Sequence, residues 1–416
     1  MKVLVINCGS SSIKYQLFDA GSKDVLVRGK VSRIGDSGSS LQQEAGKVKL
    51  RKDISVPDYH SGFELIIQSL LDPKYGALKD ISEVSAVGHR AVHGGGMFVK
   101  STLIDEDVIA RMEACVPLAP LHNPPNLIGI REARRIFTGI PHVAVFDTAF
   151  HQTLPAKAYL YALPYEYYET YKVRRYGFHG TSYRYVSQRV AIVLRQPLEN
   201  LRMVICHMGS GVSVTAVNSG ESVDTSLGFT PISGVMMGTR SGDIDPGLIF
   251  YLNRQLGLSL DRIDNMLNRE SGLLGVSGVS NDLREIIDYA EKGNLRCQLA
   301  QNMFVYQVKK YIGAYAAVMG GIDTLVFTAG IGENSPVIRK MICAGMDFLG
   351  INLDEDKNKD AIGKEKIISL PGAEVKVMII PTNEEFMIAR DTIALAFPSL
   401  KNRGTEPQYL LSGEGQ

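Results

Sequence analysis

The 416-residue chain has no tryptophan, no C-x-x-C pair and no apolar run long enough to cross a membrane. The missing tryptophan decides nothing about function. The cysteines decide more. Cys8, Cys115, Cys206, Cys297 and Cys343 are odd in number and scattered, which excludes a disulfide framework or zinc knuckle and predicts buried, reduced thiols. The histidines form no H-x-x-x-H or H-E-x-x-H pattern, so no zinc site is expected. The most apolar stretch, Ile312 to Thr328, is broken by Gly320, Gly321 and Asp323 and falls short of the ~20 residues of a membrane helix. Met1-Lys2 leads straight into Val3 to Ile6 and polar Asn7, too short for a secretory signal, so a cytoplasmic setting is expected. Charge of either sign is not in excess: 45 Lys and Arg face 44 Asp and Glu. No nucleic-acid footprint follows from that balance, and any charged ligand has to be met locally.

What the chain does have is length for two or three domains and 41 glycines. Short β-branched runs end in small residues three times: Val3 to Ile6 before Asn7-Cys8-Gly9-Ser10-Ser11-Ser12, Met203 to Cys206 before His207-Met208-Gly209-Ser210-Gly211, and Leu325 to Thr328 before Ala329-Gly330-Ile331-Gly332. Each reads as a buried strand entering a tight turn. Helical patterns with start signals lie between them: Pro124-Pro125 before Leu127 to Phe137, Ser182 before Tyr185 to Leu194, and Ser335-Pro336 before Val337 to Ala344. The alternation predicts an α/β architecture. The Gly9 and Gly209 turns are each followed by a second β-like stretch, and each half has a later strand with a glycine turn, at Gly88 with Gly94 to Gly96 and at Gly330 with Gly332. That spacing resembles a duplicated unit, although glycine after a strand is common enough to leave the matter open. Paired domains would frame a cleft, where ligands usually bind. The tail from Lys401 to Gln416 is expected to add nothing to the core.

Asn7 to Lys14 packs a glycine, hydroxyls and a cation into one turn, which suits phosphate oxygens and equally suits a serine-rich hairpin. With His207 to Gly211 and Gly330 to Asn334, three such loops favour a nucleotide. The commoner nucleotide motifs are missing: no G-x-x-x-x-G-K followed by Ser or Thr, no dinucleotide fingerprint, no H-R-D loop. Arg90, between His89 and His93 beside a triglycine, Arg240 in Met237 to Asp243, and Arg174-Arg175 before Tyr176 to Ser182 are placed among small residues from which arginine can reach an anion. The same glycine neighbours predict exposed histidines. Asp147 interrupts the apolar strand Val143 to Phe146 and needs a cationic or metal partner at the strand end. Glu384 follows the strand Val375 to Ile380 and opens a helix, where a dipole role and a functional one are both open.

Taken together, Asn7 to Lys14, Phe146 to His151, Arg175 to Ser182, Met237 to Asp243, Ser271-Gly272-Leu273-Leu274-Gly275 and Pro381 to Glu385 resemble the acetate kinase family, in order over about residues 1 to 397. The resemblance implies reversible transfer between ATP and acetate, giving ADP and acetyl phosphate, with Mg2+ and possible use of Mn2+. It implies two duplicated RNase H-like domains with an interdomain active-site cleft, residues 1 to 150 with a returning helix in 386 to 416, and residues 151 to 385. It implies a homodimer, with no membrane or nucleic-acid partner. Carried over by position, Asn7 and Glu384 are the metal-associated residues. Lys14, His207, Met208, Gly209, Ser210, Gly211, Asp282, Leu283, Arg284, Gly330, Ile331, Gly332, Glu333 and Asn334 are the nucleotide contacts. Arg90 binds the acceptor, Asp147 is the catalytic aspartate, and His179 and Arg240 stabilise the transition state. Val92, Leu121, Phe178 and Pro231 form the pocket for the acceptor's methyl group. One position departs from the family: Ser210 stands where asparagine is usual, which puts that phosphate contact in doubt.

The remaining rivals are a propionate or butyrate kinase of the same family and a non-catalytic ATP-binding switch. Val92 occupies space that alanine leaves open in propionate kinases, which predicts acetate preferred and propionate still used. Acetate is ionised at neutral pH and needs no base, so Asp147 is expected to orient an arginine or a metal-bound water, although the resemblance makes it a proton donor or acceptor.

Overall fold

The computed structural model describes residues 1–22 and 24–399; the tail from Lys401 lies outside them. The chain divides into two compact units, Met1–Ala149 with the segment from Asn383, and Phe150–Thr382.

The first unit is built on an eight-stranded sheet in the order β5-β4-β3-β2-β1-β6-β8-β7. Its strands are β1 (Lys2–Gly9), β2 (Ser12–Asp19), β3 (Val25–Ser32), β4 (Ser40–Ala45), β5 (Val48–Asp53), β6 (Val84–Ala91), β7 (Thr102–Leu103) and β8 (His142–Phe146). Strands β1 to β5 form an antiparallel meander, while β6 is parallel to β1 and β8 to β6. One face carries Ile13, Val31 and Leu41 into a core with Phe63, Ile66 and Leu70. On the other side, Val5, Val143 and Val145 pack against Ile388 and Ala389 of the helix Glu384–Ala396. Each of these valine, leucine, isoleucine and phenylalanine side chains, fully buried, contributes about 1.5–3 kcal/mol. Gly88 is where that helix comes closest: a Cβ there would lie 2.3 Å from Thr392 Oγ1 and 2.8 Å from Ile388 Cγ2. The expected turn at Gly88 is therefore a strand interior, and β6 runs on to carry Arg90 near its end.

The second unit has a six-stranded sheet in the order β11-β10-β9-β12-β14-β13. Its strands are β9 (Arg202–Met208), β10 (Val212–Asn218), β11 (Glu221–Thr225), β12 (Thr324–Thr328), β13 (Lys366–Ile367) and β14 (Lys376–Ile379). Here β9, β10 and β11 are antiparallel neighbours, while β12 runs parallel to β9 and β14 to β12. This repeats the order and sense of β1, β2, β3, β6 and β8, which makes the molecule a duplicated α/β fold. The 25-residue helix Leu295–Met319 buries Phe304, Val308 and Ile312 in this unit. Among the described residues no helix is long and apolar enough to cross a membrane.

Candidate functional site

In the first unit the chemistry gathers at the ends of β1, β6 and β8. The β1–β2 turn is only Ser10-Ser11, tighter than the loop expected from Asn7 to Lys14, and Asn7 and Lys14 are directly opposite in register. Parallel pairing sets Arg90 against Val145 and leaves Asp147 just past the end of β8, its N–H donating to the Ala91 carbonyl at 3.0 Å. Asp147 is almost fully buried, and Arg90 meets it with two prongs: Nε donates to Oδ1 at 3.2 Å and Nη2 donates to Oδ2. Arg90 also donates to Asn7 Oδ1 at 3.4 Å and lies 3.7 Å from Glu384 Oε2. Burial alone would lower the Arg90 guanidinium, but Asp147 and then Glu384 outweigh it and hold it above its ordinary value. Glu384 goes the other way: desolvation, with help from Asp147 and against the pull of Arg90 and Lys14, pushes it up to about 7.

The helix Asn123–Ile136 supports this corner. Pro124 and Pro125 suit its first turn, which needs no N–H donors, and Leu127, Ile130 and Ala133 face inward. Two asparagines near the helix start, Asn123 and Asn126, are buried although no sequence motif marks them. Asn126 accepts from the Val92 N–H at 2.9 Å and donates to the Cys8 carbonyl at 2.7 Å, while Asn123 pairs with both main-chain groups of His93. Together they tie the segment after Arg90 to the end of β1.

His89 and His93 are buried at 2 % and 0 % exposure, against the exposure expected from their glycine neighbours. His89 stacks on His142, and the His93 ring accepts from the Gly95 N–H. The glycines serve close packing and a positive φ, with a Gly94 Cβ only 2.8 Å from Phe98 and Gly95 at φ 59°. Val92 is buried, whereas Leu121 is 57 % exposed.

In the second unit, β9 carries His207 and Met208 to the turn Gly209-Ser210-Gly211. Met208 has its side chain in the core. The helix Gly180–Leu194 starts before Ser182, the residue expected to open it. His179 precedes it at φ 58°, a strained backbone for a non-glycine residue, and Ser182 lies inside the first turn, bonded to His207 Nδ1 at 2.9 Å and Thr382 Oγ1 at 2.7 Å. The His179 and His207 rings stack with centroids 4.1 Å apart, and His179 Nδ1 pairs with Ser213 Oγ at 2.8 Å. A Cβ on Gly211 would come within 3.1 Å of the other side of the His179 ring. The turn is small because the histidine lies against it.

Arg240 is partly buried and donates to the Pro231 carbonyl at 3.2 Å. No carboxylate among the described residues lies within ion-pair distance of it, and burial lowers its pKa. A desolvated guanidinium without a counter-anion is a site for an anionic ligand. Arg174 and Arg175 are committed elsewhere: Arg174 stacks 3.7 Å from the Tyr159 ring, and Arg175 donates to the Thr225 carbonyl at 2.7 Å. Phe178 is buried and Pro231 partly so.

A cavity of about 610 Å³ within this unit is lined by Gly209, Ser210, Asp282, Leu283, Arg284, Gly330, Ile331 and Asn334, all expected, and by Gly238, Thr239, Asn281, Ile287, Ser335 and Pro336, which were not. That volume is in the range of cofactor sites. Asp282 caps the helix Leu283–Glu291 by accepting from the Arg284 N–H and pairs with the Arg284 guanidinium. Residues Ala329–Asn334 form a helical turn rather than the expected open loop. Gly332 and Glu333 give their carbonyls to buried Arg339, and Glu333 Oε1 accepts from the Thr382 N–H at 3.1 Å, so neither lines the cavity. His207, Met208 and Gly211 are also outside its lining, and Lys14 belongs to the first unit.

Magnesium prefers few protein oxygens and keeps water and phosphate oxygens around it. Asn7 Oδ1 and the Glu384 carboxylate, on groups that both approach Arg90, are hard oxygens of that kind, and a cation there would relieve the desolvated Glu384. Among the described residues no cluster of three His, Cys, Asp or Glu could hold a metal by itself, so the donor set fits a metal that arrives with phosphate ligands.

A cofactor-sized cavity whose lining includes Thr239, next in sequence to an arginine with no carboxylate partner among the described residues, suits a protein that handles phosphate groups. The family model for the acetokinase family matches residues 2–390. The acetate kinase of Thermotoga maritima is 54 % identical over 394 residues, covering 94 % of this chain and 98 % of that protein. A crystal structure of Porphyromonas gingivalis acetate kinase superimposes with TM-score 0.91 at 49 % identity, covering 95 % of this chain and 99 % of that one. A propionate kinase from Francisella tularensis gives TM-score 0.89 at 42 % identity over 95 % of this chain and 99 % of its own. The chain belongs to the acetokinase family. It is a phosphotransferase with a carboxyl group as acceptor.

Proposed function

We propose that this chain catalyses the reversible, magnesium-dependent transfer of the γ-phosphoryl group of ATP to acetate, giving acetyl phosphate and ADP. The observation that carries this reading is Arg240, a partly buried cation whose bond to the Pro231 carbonyl leaves its charge with no carboxylate in ion-pair distance among the described residues. In the forward direction an acetate oxygen bonds to the γ-phosphorus as its bond to the β-bridging oxygen breaks, and ADP leaves with that electron pair. No proton has to move, because the acceptor is already a carboxylate with a pKa near the ~4.3 of glutamate. Catalysis is then positioning and countercharge.

Arg90 binds the acceptor carboxylate, held in orientation by the two-pronged contact from Asp147. Arg240 and His179 meet the charge on the transferring group. His179 is oriented by Ser213 on one side and the His207 ring on the other. Asn7 and Glu384 would hold the metal, which when bound supplies countercharge to phosphate oxygens. The cavity at Ser210, Asp282 and Ile331 takes the nucleotide; the shorter Ser210 hydroxyl still donates to phosphate. Val92, Leu121, Phe178 and Pro231 are assigned to the acceptor's methyl group. A homodimer in the cytoplasm completes the reading, the compartment in keeping with its five buried free thiols.

The resemblance to a propionate kinase supports a second acceptor. Trapping acyl phosphates as hydroxamates with acetate, propionate and butyrate tests both points. Acetate should give the highest kcat/KM with propionate measurably used, since one methylene is worth ~1–3 kcal/mol. Equal values for acetate and propionate would remove the assignment of Val92.

A further inference from the structure

The solvent face of β2 to β5 concentrates positive charge in a way the rest of the sheet does not. Pairing sets Lys14 opposite Lys30, Lys30 opposite Gln42, and Gln42 opposite Arg51. One step along, Ser12, Ser32, Ser40 and Asp53 form a second row on the same face, since side chains two apart in a strand point the same way. The intervening Ile13, Val31 and Leu41 face the core. Lys14, Lys30 and Arg51 are exposed. Like charges directly across a ladder repel, and no carboxylate forms an ion pair with Lys30 among the described residues; Arg51 has only Asp53, at 3.8 Å. Two residues further on, over the same strands and face, the row Gln16, Arg28, Glu44 and Lys49 alternates in sign, with Lys49 3.8 Å from Glu44. An ordinary solvated sheet face looks like this alternating row. Lys30 and Arg51 of the basic row, Arg33, the serines Ser12, Ser32 and Ser40, and the acidic Asp53 line an open cavity of about 440 Å³. The basic row is also continuous, through Lys14, with Asn7.

We propose that Lys30 and Arg51, with the serine row beside them, form a second binding site for a phosphate group, separate from the nucleotide cavity and leading along the sheet toward Asn7. The guanidinium and ammonium supply charge-assisted hydrogen bonds and the hydroxyls supply neutral donors, while Asp53, 3.8 Å from Arg51 and charged like the phosphate, is a competitor for that guanidinium that the phosphate has to displace. The site does not depend on the catalytic reading, and its test measures binding rather than turnover.

The experiment is calorimetric titration of the full chain with inorganic phosphate and, separately, with ADP, in the unmodified protein, in Lys30→Gln/Arg51→Gln and in the charge-keeping Lys30→Arg/Arg51→Lys. Loss of two charged donors should weaken phosphate binding by about tenfold or more, with the charge-keeping variant near the unmodified protein and the unfolding midpoint unchanged. ADP affinity unchanged in the same variant identifies a free phosphate group as occupant; a parallel loss identifies a nucleotide's phosphates on the same residues. Absence of phosphate binding in the unmodified protein, or undiminished binding in Lys30→Gln/Arg51→Gln, overturns the proposal.

Discussion

Arg90 and Asp147 stand at the ends of two parallel strands, and both guanidinium prongs of the arginine are taken by both oxygens of the aspartate. Asp147 is almost completely buried while Arg90 keeps about a fifth of its side chain exposed. The geometry makes the aspartate a holder of the arginine. Asp147→Asn should lower kcat/KM for acetate by about tenfold to a hundredfold, because a charged partner is replaced by a neutral one, and the loss should persist undiminished on the alkaline side of Glu384, whose carboxyl Asp147 helps to push up to about 7. A loss that follows a single ionisation would instead assign proton transfer to Asp147.

Arg240 carries the opposite electrostatic signature, a partly buried cation that donates to the Pro231 carbonyl and has no carboxylate in ion-pair distance among the described residues. Arg240→Ala should cost about 10²–10³ in kcat, the usual effect of removing one preorganised donor to developing charge. Its unfolding midpoint should stay level or rise, since an unpaired desolvated charge is being removed. Near-normal turnover would refute the role given to it.

Gly88 tests the packing that places Arg90. Gly88→Ala forces a methyl group toward Thr392 and Ile388 and should destabilise the protein by about 1–3 kcal/mol, as overpacking does. Denaturant unfolding of Gly88→Ala/Thr392→Ala should recover part of that loss. Equal stability of Gly88→Ala and the unmodified protein would mean that the helix Glu384–Ala396 does not press on β6 as described.

The buried histidines set an acid limit. Burial holds His93 and His151 down at about 4 and also lowers His89 and His142. In the unfolded chain these rings take up protons near the ordinary ~6.5. Between those values the unfolded state binds more protons, so stability is complete above about pH 6.5 and falls as pH drops toward about 4. Calorimetric midpoints from pH 7.5 to pH 5 should decline; a flat profile would contradict the neutral, buried assignment.

The strands were legible because short β-branched runs have few other uses, and the repeated glycine turns hinted at the duplication that the two sheet orders display. Asp147 at a strand end with a cationic partner followed from the cost of burying its charge. Gly88 was misread because glycine serves turns and close approaches alike, and its neighbours Ile388 and Thr392 lie some 300 residues away in sequence. His89 and His93 misled for the same reason: their glycines let surrounding chain close over them. Asn123 and Asn126 had no signal beyond lying next to a proline pair at a helix start. The cavity residues Gly238, Thr239 and Asn281 come from separate segments that only the fold assembles.

Phosphorus NMR of the purified chain with ATP, magnesium and acetate follows phosphoryl transfer to a carboxylate as it happens. An acetyl phosphate resonance growing in step with ADP is the predicted result; ADP accompanied by inorganic phosphate alone from the first turnovers, or no consumption of ATP, would contradict it.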